Sequence, residues 1–242
     1  LGWQRAVKEG GPKLLCFDDL GSASFIADLV VNQNPGAQAL SYDVEGGGRV
    51  LAGPDYVMLR REFRHLKREE SPDASHLLVT FGGYDRDNLA LVAMKELVCL
   101  EMPFAATVIC SADAYGLEEA RAFATSHPDR FCVTPLADTV PLMAAADLAL
   151  CAGGTTMLEM AALGLPMVVV TMANNQEPGA AALDKVGCAR LVGPAPAALP
   201  AAVKEIGHLL DGYEARAEMG CLGSKLIDGR GVERVAAALH GG

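Results

Sequence analysis

Apolar residues occur along this chain in short runs, each closed by polar or glycine punctuation. From residue 76 the rhythm is regular. HLLVTFGG (76–83) is an apolar run ending in a glycine pair, and NLALVAMKEL (88–97) follows with helical spacing. PFAATVIC (103–110), RFCVTPL (130–136), LALCAGG (148–154), PMVVVTM (166–172) and ARLVG (189–193) read as further strands. Helical patterns separate them at LEEARAFATS (117–126), VPLMAAAD (140–147), the stretch after Gly154, and AALDKVG (181–187), and a long helical tail closes the chain. Strands of about 4–8 residues alternating with helices of about ten predict a doubly wound parallel α/β sheet.

The first 75 residues carry fewer signals. KLLCFDD (13–19) predicts a short buried strand ending in Asp18 and Asp19. FIADLVVNQN (25–34) predicts the end of a helical turn and then a second strand, a phrase echoed by MAAADLALCAGG (143–154). LRREFRHLKREESPDAS (59–75) is charged, ends in Ser-Pro-Asp, and reads as a linker. The expected organisation is a truncated N-terminal Rossmann-like domain over 1–60, a linker over 61–75, and a complete C-terminal Rossmann-like domain over 76–242.

Composition narrows the function. With 242 residues, 51% hydrophobic and 21% charged, the chain is long enough for substantial buried cores. A formal net charge of −10 argues against non-specific binding to nucleic acid or to an anionic membrane. It leaves open a phosphate site built from backbone N–H groups, which a charge count does not register. The seven cysteines are scattered without a C-x-x-C pair, as expected for reduced core thiols in a cytoplasmic protein. No apolar stretch approaches the ~20 residues that span a bilayer. Leu1 opens the sequence, and LGWQRAVKEGG is too polar for a signal peptide.

The chemistry concentrates in CAGGTTMLEMAALGLP (151–166). Ligands of open parallel sheets bind beyond the carboxyl ends of the strands, where Gly153 and Gly154 fall. Thr156 and Glu159 have the spacing of a capping box, and Gly164 with Pro166 marks a helix stop. The same atoms also suit a diphosphate: helix-start amides and the hydroxyls of Thr155 and Thr156 as donors, with Glu159 accepting from ribose hydroxyls. Three further loops belong on this rim. GGYDRDN (82–88) brings Gly82 and Gly83, VTPLADTV (133–140) brings Leu136, and TMANNQEPGA (171–180) brings Asn174, Asn175 and Gln176. Amide side chains donate and accept, so this trio suits hydroxyl and acetamido groups.

CAGGTTMLEMAALGLPMVVVTMANNQEPGAAALDKVG resembles the nucleotide-binding half of GT-B-fold proteins that use UDP-sugars. With FDDL, GPDYVMLRREF (53–63), VTFGGYDRDN and SKLIDGRGVERV (224–235), the pattern is similar to the UDP-sugar hydrolases of pseudaminic acid biosynthesis, the spore-coat polysaccharide biosynthesis protein family. The resemblance implies hydrolysis of the anomeric C–O bond of UDP-2,4-diacetamido-2,4,6-trideoxy-L-altrose, with no metal or other cofactor. It implies that Leu136 meets the uracil, Glu159 the ribose, and Gly153, Gly154 and Thr155 the diphosphate. Asn175 and Gln176 would face the sugar. The G-x-G-H loop that carries the family's catalytic histidine is absent from this sequence. His65, His76, His127, His208 and His240 stand in unrelated contexts, and Asp18 and Asp19 are the remaining candidates for orienting water. A hydrolase inactive for want of that loop, a GT-B glycosyltransferase, and a non-catalytic nucleotide-sugar-binding protein stay open as readings, as does the oligomeric state.

Overall fold

A computed structural model describes residues 1–64, 66, 68, 70–83, 85, 87–135 and 138–241. The chain divides into two units, Leu1–Arg64 with Leu226–Gly242, and His65–Lys225. The first unit opens with helix α1 (Gly2–Glu9), whose buried Gln4 accepts the Ile26 N–H at 2.6 Å. Strands β1 (Leu15–Phe17), β2 (Ser24–Phe25), β3 (Leu29–Asn32), β4 (Asp43–Val44) and β5 (Arg49–Ala52) follow. A three-stranded parallel sheet runs in the order β1-β3-β5, and β2 pairs with β4 alone. The helical turn expected at Phe25 is instead β2. Strand β5, RVLA, is too short and too polar at its start to stand out in the sequence.

The second unit is the regular alternation anticipated from residue 76. It comprises β6 (His76–Thr80), α2 (Leu89–Leu97), β7 (Ala105–Cys110), α3 (Leu117–Ser126), β8 (Phe131–Pro135) and α4 (Val140–Ala145). It continues with β9 (Leu148–Ala152), α5 (Thr156–Ala162), β10 (Met167–Thr171), α6 (Glu177–Val186), β11 (Arg190–Pro194), α7 (Leu199–Asp211) and α8 (Tyr213–Leu226). All six strands are parallel, in the order β11-β10-β9-β6-β7-β8. This is the doubly wound arrangement, and the direction of winding reverses between β6 and β9. Every residue of β9 and β10 is buried, as expected of central strands covered on both faces. Leu77, Val79, Leu148 and Val168 face α2, α3 and α7, while α4, α5 and α6 pack on the opposite side.

Two arginines fasten the charged segment before β6 to this unit. Arg68, its side chain 3% exposed, donates to the carbonyls of Ala146, Gly164 and Asp147 at 2.8, 2.8 and 3.1 Å. Desolvation is the main cause holding its guanidinium below the usual arginine range. Arg216, fully buried, donates to Ser71 and Pro72 and to the last carbonyls of α7, those of Leu209 and Leu210. A cation at a helix carboxyl end is favoured by the helix dipole. So Arg68, Ser71 and Pro72, in a stretch expected to be a plain linker, are strapped down by hydrogen bonds.

The chain's end also departs from the expected 76–242 domain. Helix α9 (Gly231–His240) belongs to the first unit, where Val235 packs with Leu29, Val31 and Leu51 on one face of the small sheet. Its start sits on the backbone of Tyr56–Val57, so closely that a Cβ on Gly231 would lie 2.2 Å from the Val57 carbonyl oxygen. Arg234 pairs with Asp228 and donates to the Asp55 carbonyl oxygen at 2.9 Å. The segments GPDYVMLRREF and IDGRGVERV, far apart in sequence, therefore form one packed junction.

Candidate functional site

The opening motif folds as a strand, a tight turn and a short helix. Cys151 is the penultimate residue of β9, inside the core, and complete burial pushes its thiol up to about 12, so it is no nucleophile near neutral pH. The Gly153 N–H donates to the Val170 carbonyl at 3.0 Å, and that of Gly154 to the Ala152 carbonyl at 2.9 Å. Helix α5 then starts one residue earlier than a cap at Thr156 requires. Thr155 is the N-cap, in the right-handed helical region, with no side-chain capping bond. Thr156 is already helical, so the Thr156–Glu159 capping box does not form. Among the described residues, the N–H groups of Thr155 and Thr156 have no protein acceptor. The helix stop forms as anticipated. Gly164, at φ +67°, donates to Ala161 and Leu165 donates to Met160, the paired bonds of a Schellman turn.

A cavity of about 490 Å³ opens where β6, β9 and β10 end, beside the point where the sheet's winding reverses. Gly154, Thr155 and Thr156 form one wall, Gly82, Gly83 and Asp87 another, and Met172, Ala173 and Gln176 a third. Gly82 has φ +81°, a conformation that favours glycine. Gly154 is different: its φ is ordinary and a Cβ there would meet nothing within 4 Å. Among the described residues, nothing requires a glycine at that position. By contrast, a Cβ on buried Gly153 would lie 3.1 Å from the Gln176 Cβ, so this glycine lets the third wall pack against β9.

The other anticipated residues distribute unevenly. Gln176 lines the cavity, and its Oε1 accepts the Met172 N–H at 2.8 Å, which leaves the amide NH₂ as its outward donor. Asn174 and Asn175 are exposed in a 3₁₀ turn, off the lining. Glu159 is half-buried a turn into α5, also off the lining, and so is Gly153. Leu136 and His65 lie outside the described residues. Asp18 and Asp19 fall in the first unit and build a turn there. Asp18 accepts the Gly21 N–H at 2.7 Å, and Asp19 accepts from the Asn34 amide at 3.3 Å.

No histidine lines the cavity among the described residues. His76 bonds Thr107 at 2.9 Å, and His127 stacks on Phe123 at 4.4 Å. The sequence reading missed Asp85. This residue, 6% exposed, accepts the N–H groups of Leu89 and Ala90 at 2.7 and 2.9 Å and so caps α2 from within the Gly82–Gly83 loop. Its position four residues before the first apolar helical residue is the available signal.

The chain belongs to the glycosyltransferase family 28 C-terminal domain family, matched over residues 77–219. It is 26% identical to the spore coat polysaccharide biosynthesis protein SpsG of Bacillus subtilis (strain 168), across 96% of this chain and 70% of that protein. Among solved structures, Acinetobacter baumannii MurG is similar with a TM-score of 0.70 at 18% identity, covering 99% of this chain and 70% of MurG. The spinosyn rhamnosyltransferase SpnG, solved with thymidine diphosphate, gives 0.57 at 18% identity, over 87% of this chain and 56% of its own. These likenesses show a GT-B glycosyltransferase-like fold built on parallel Rossmann-like sheets.

Proposed function

We propose that the cavity at the ends of β6, β9 and β10 binds the nucleoside diphosphate of a UDP-sugar, and that the protein acts on the anomeric C–O bond of that sugar. The observation that carries the reading is the coincidence, in one cavity, of Thr155 and Thr156 amides without an acceptor and a Gly154 that no contact demands, among the described residues. Amides pointing from a turn suit an anion, and a missing Cβ lets a phosphate approach the backbone. The thymidine diphosphate bound by SpnG, a protein of similar fold, supports the same ligand class here. In this reading Gly82, Gly83, Gly154, Thr155 and Thr156 hold the diphosphate, Glu159 and Leu136 the nucleoside, and the Asn174–Gln176 turn the sugar.

The reaction proposed is hydrolysis, with UDP-2,4-diacetamido-2,4,6-trideoxy-L-altrose as substrate and UDP and free sugar as products. The cavity amides would stabilise charge developing on the departing UDP, while a base activates water at the anomeric carbon. The likeness to SpsG supports this reading. With no G-x-G-H loop in the sequence, UDP binding with poor or no hydrolysis is expected of these 242 residues. The second reading is glycosyl transfer, favoured by the family 28 match and the likeness to MurG. Incubation with the UDP-sugar in water, followed by NMR, separates them. Free sugar released without an acceptor supports the hydrolase, whereas turnover only on adding an acceptor overturns it.

A further inference from the structure

The walls of the cavity differ in electrostatic character. The turn after β9 lines the cavity with Thr155 and Thr156, two hydroxyl residues whose backbone N–H groups have no protein acceptor among the described residues. The loop after β6 presents Asp87, an exposed carboxylate that makes no ion pair among the described residues. No lysine, arginine or histidine lines the cavity among those residues. A nucleoside diphosphate held by the backbone of the two glycine turns, at Gly82–Gly83 and Gly154–Thr156, keeps its negative charge away from the Asp87 carboxylate. That leaves Asp87 to face the sugar that the phosphates carry.

We infer that Asp87 is a specificity residue that bars nucleotide sugars bearing a carboxylate and admits those with hydroxyl, acetamido or amino substituents. The inference deepens the nucleotide-sugar reading and rests on it. A carboxylate accepts hydrogen bonds from sugar O–H and amide N–H groups, but it repels a second carboxylate brought into the same half-enclosed space. At roughly 5–6 Å and an effective dielectric constant of about 40, two unit charges repel by an amount worth roughly tenfold in affinity. Salt screens such a pair, so the discrimination narrows as ionic strength rises.

UDP, UDP-glucose and UDP-glucuronate make the test, because the two sugar nucleotides differ only in a CH₂OH against a carboxylate. Titration calorimetry of the full chain should show UDP binding, with UDP-glucuronate weaker than UDP-glucose by roughly tenfold at low salt. In Asp87→Asn the ratio of the two dissociation constants should fall to within about twofold of unity. Asp87 is exposed, and unchanged melting of the variant would show that the fold is kept. UDP binding with equal affinity for the two sugar nucleotides overturns the inference and leaves the cavity reading standing. So does a gap that persists in Asp87→Asn, or UDP binding with neither sugar nucleotide bound. Failure of all three ligands to bind the folded chain overturns the cavity reading and the inference together.

Discussion

Gly153 and Gly154 are neighbours of the same residue type, yet the structure gives each a different reason to be glycine. A Cβ on Gly153 would press on the Gln176 side chain at 3.1 Å, whereas one on Gly154 would project into open cavity. Gly153→Ala should therefore lower stability by about 1 kcal/mol, the scale of mild overpacking. Gly154→Ala should leave the melting temperature in place and weaken UDP binding at least tenfold. Melting curves and UDP titrations on both variants check this, and reversed effects would contradict the assignment. The residue scale also shows why the turn was only partly legible. An apolar run, two glycines and a capped stop fixed the strand, the turn and the helix end. The start was misplaced by one residue because Thr155 and Thr156 are chemically alike, and only the helical backbone at Thr155 decides between them.

At the scale of elements, close helix packing makes a sharper prediction than any surface pair. Helix α8 approaches the carboxyl end of α5 through Gly220 and Gly223, and ideal Cβ atoms there would stand 2.4 Å from the Gly164 oxygen and 2.9 Å from the Ala161 oxygen. Replacing a helical glycine by alanine gains up to about 1 kcal/mol of intrinsic propensity. Pressing a methyl into an immovable carbonyl costs about 1–3 kcal/mol or more. The clash wins, and Gly220→Ala should destabilise by about 2 kcal/mol in urea melts; a neutral or stabilised variant would contradict the packing.

The junction of α9 carries a pH signature. Its neighbour Arg234 holds the Asp228 carboxyl down at about 2, below the ordinary aspartate value of 3.8. A depressed folded-state value means the stabilisation is present above about pH 4 and is lost as pH falls towards 2. Solvent exposure limits it to about 0.5–1 kcal/mol. Arg234→Met should remove that component, flattening the stability profile between pH 4 and 2 relative to the wild type. A profile unchanged in shape would show that the pair contributes nothing.

Across the whole molecule, the six-stranded sheet was legible because each of its strands is a short apolar run bounded by punctuation, as in LALCAGG and PMVVVTM. Where α9 packs was not. An amphipathic helix states which of its faces is buried but not which sheet buries it, and Val235 joins Leu29 and Val31 across some two hundred residues of chain. The site divided in the same way. Glycine and threonine positions on the cavity followed from the strand ends, while Asn174, Asn175 and Glu159 were placed on the rim by side-chain chemistry, and the structure sets them off the lining.

One cavity and one ligand class carry the proposed function, so calorimetric titration of the folded chain with UDP tests it most directly. Saturable one-site binding below millimolar concentration, lost or strongly weakened in Gly154→Ala at unchanged melting temperature, is the predicted result. A folded chain that gives no binding heat and no thermal shift at millimolar UDP would contradict it.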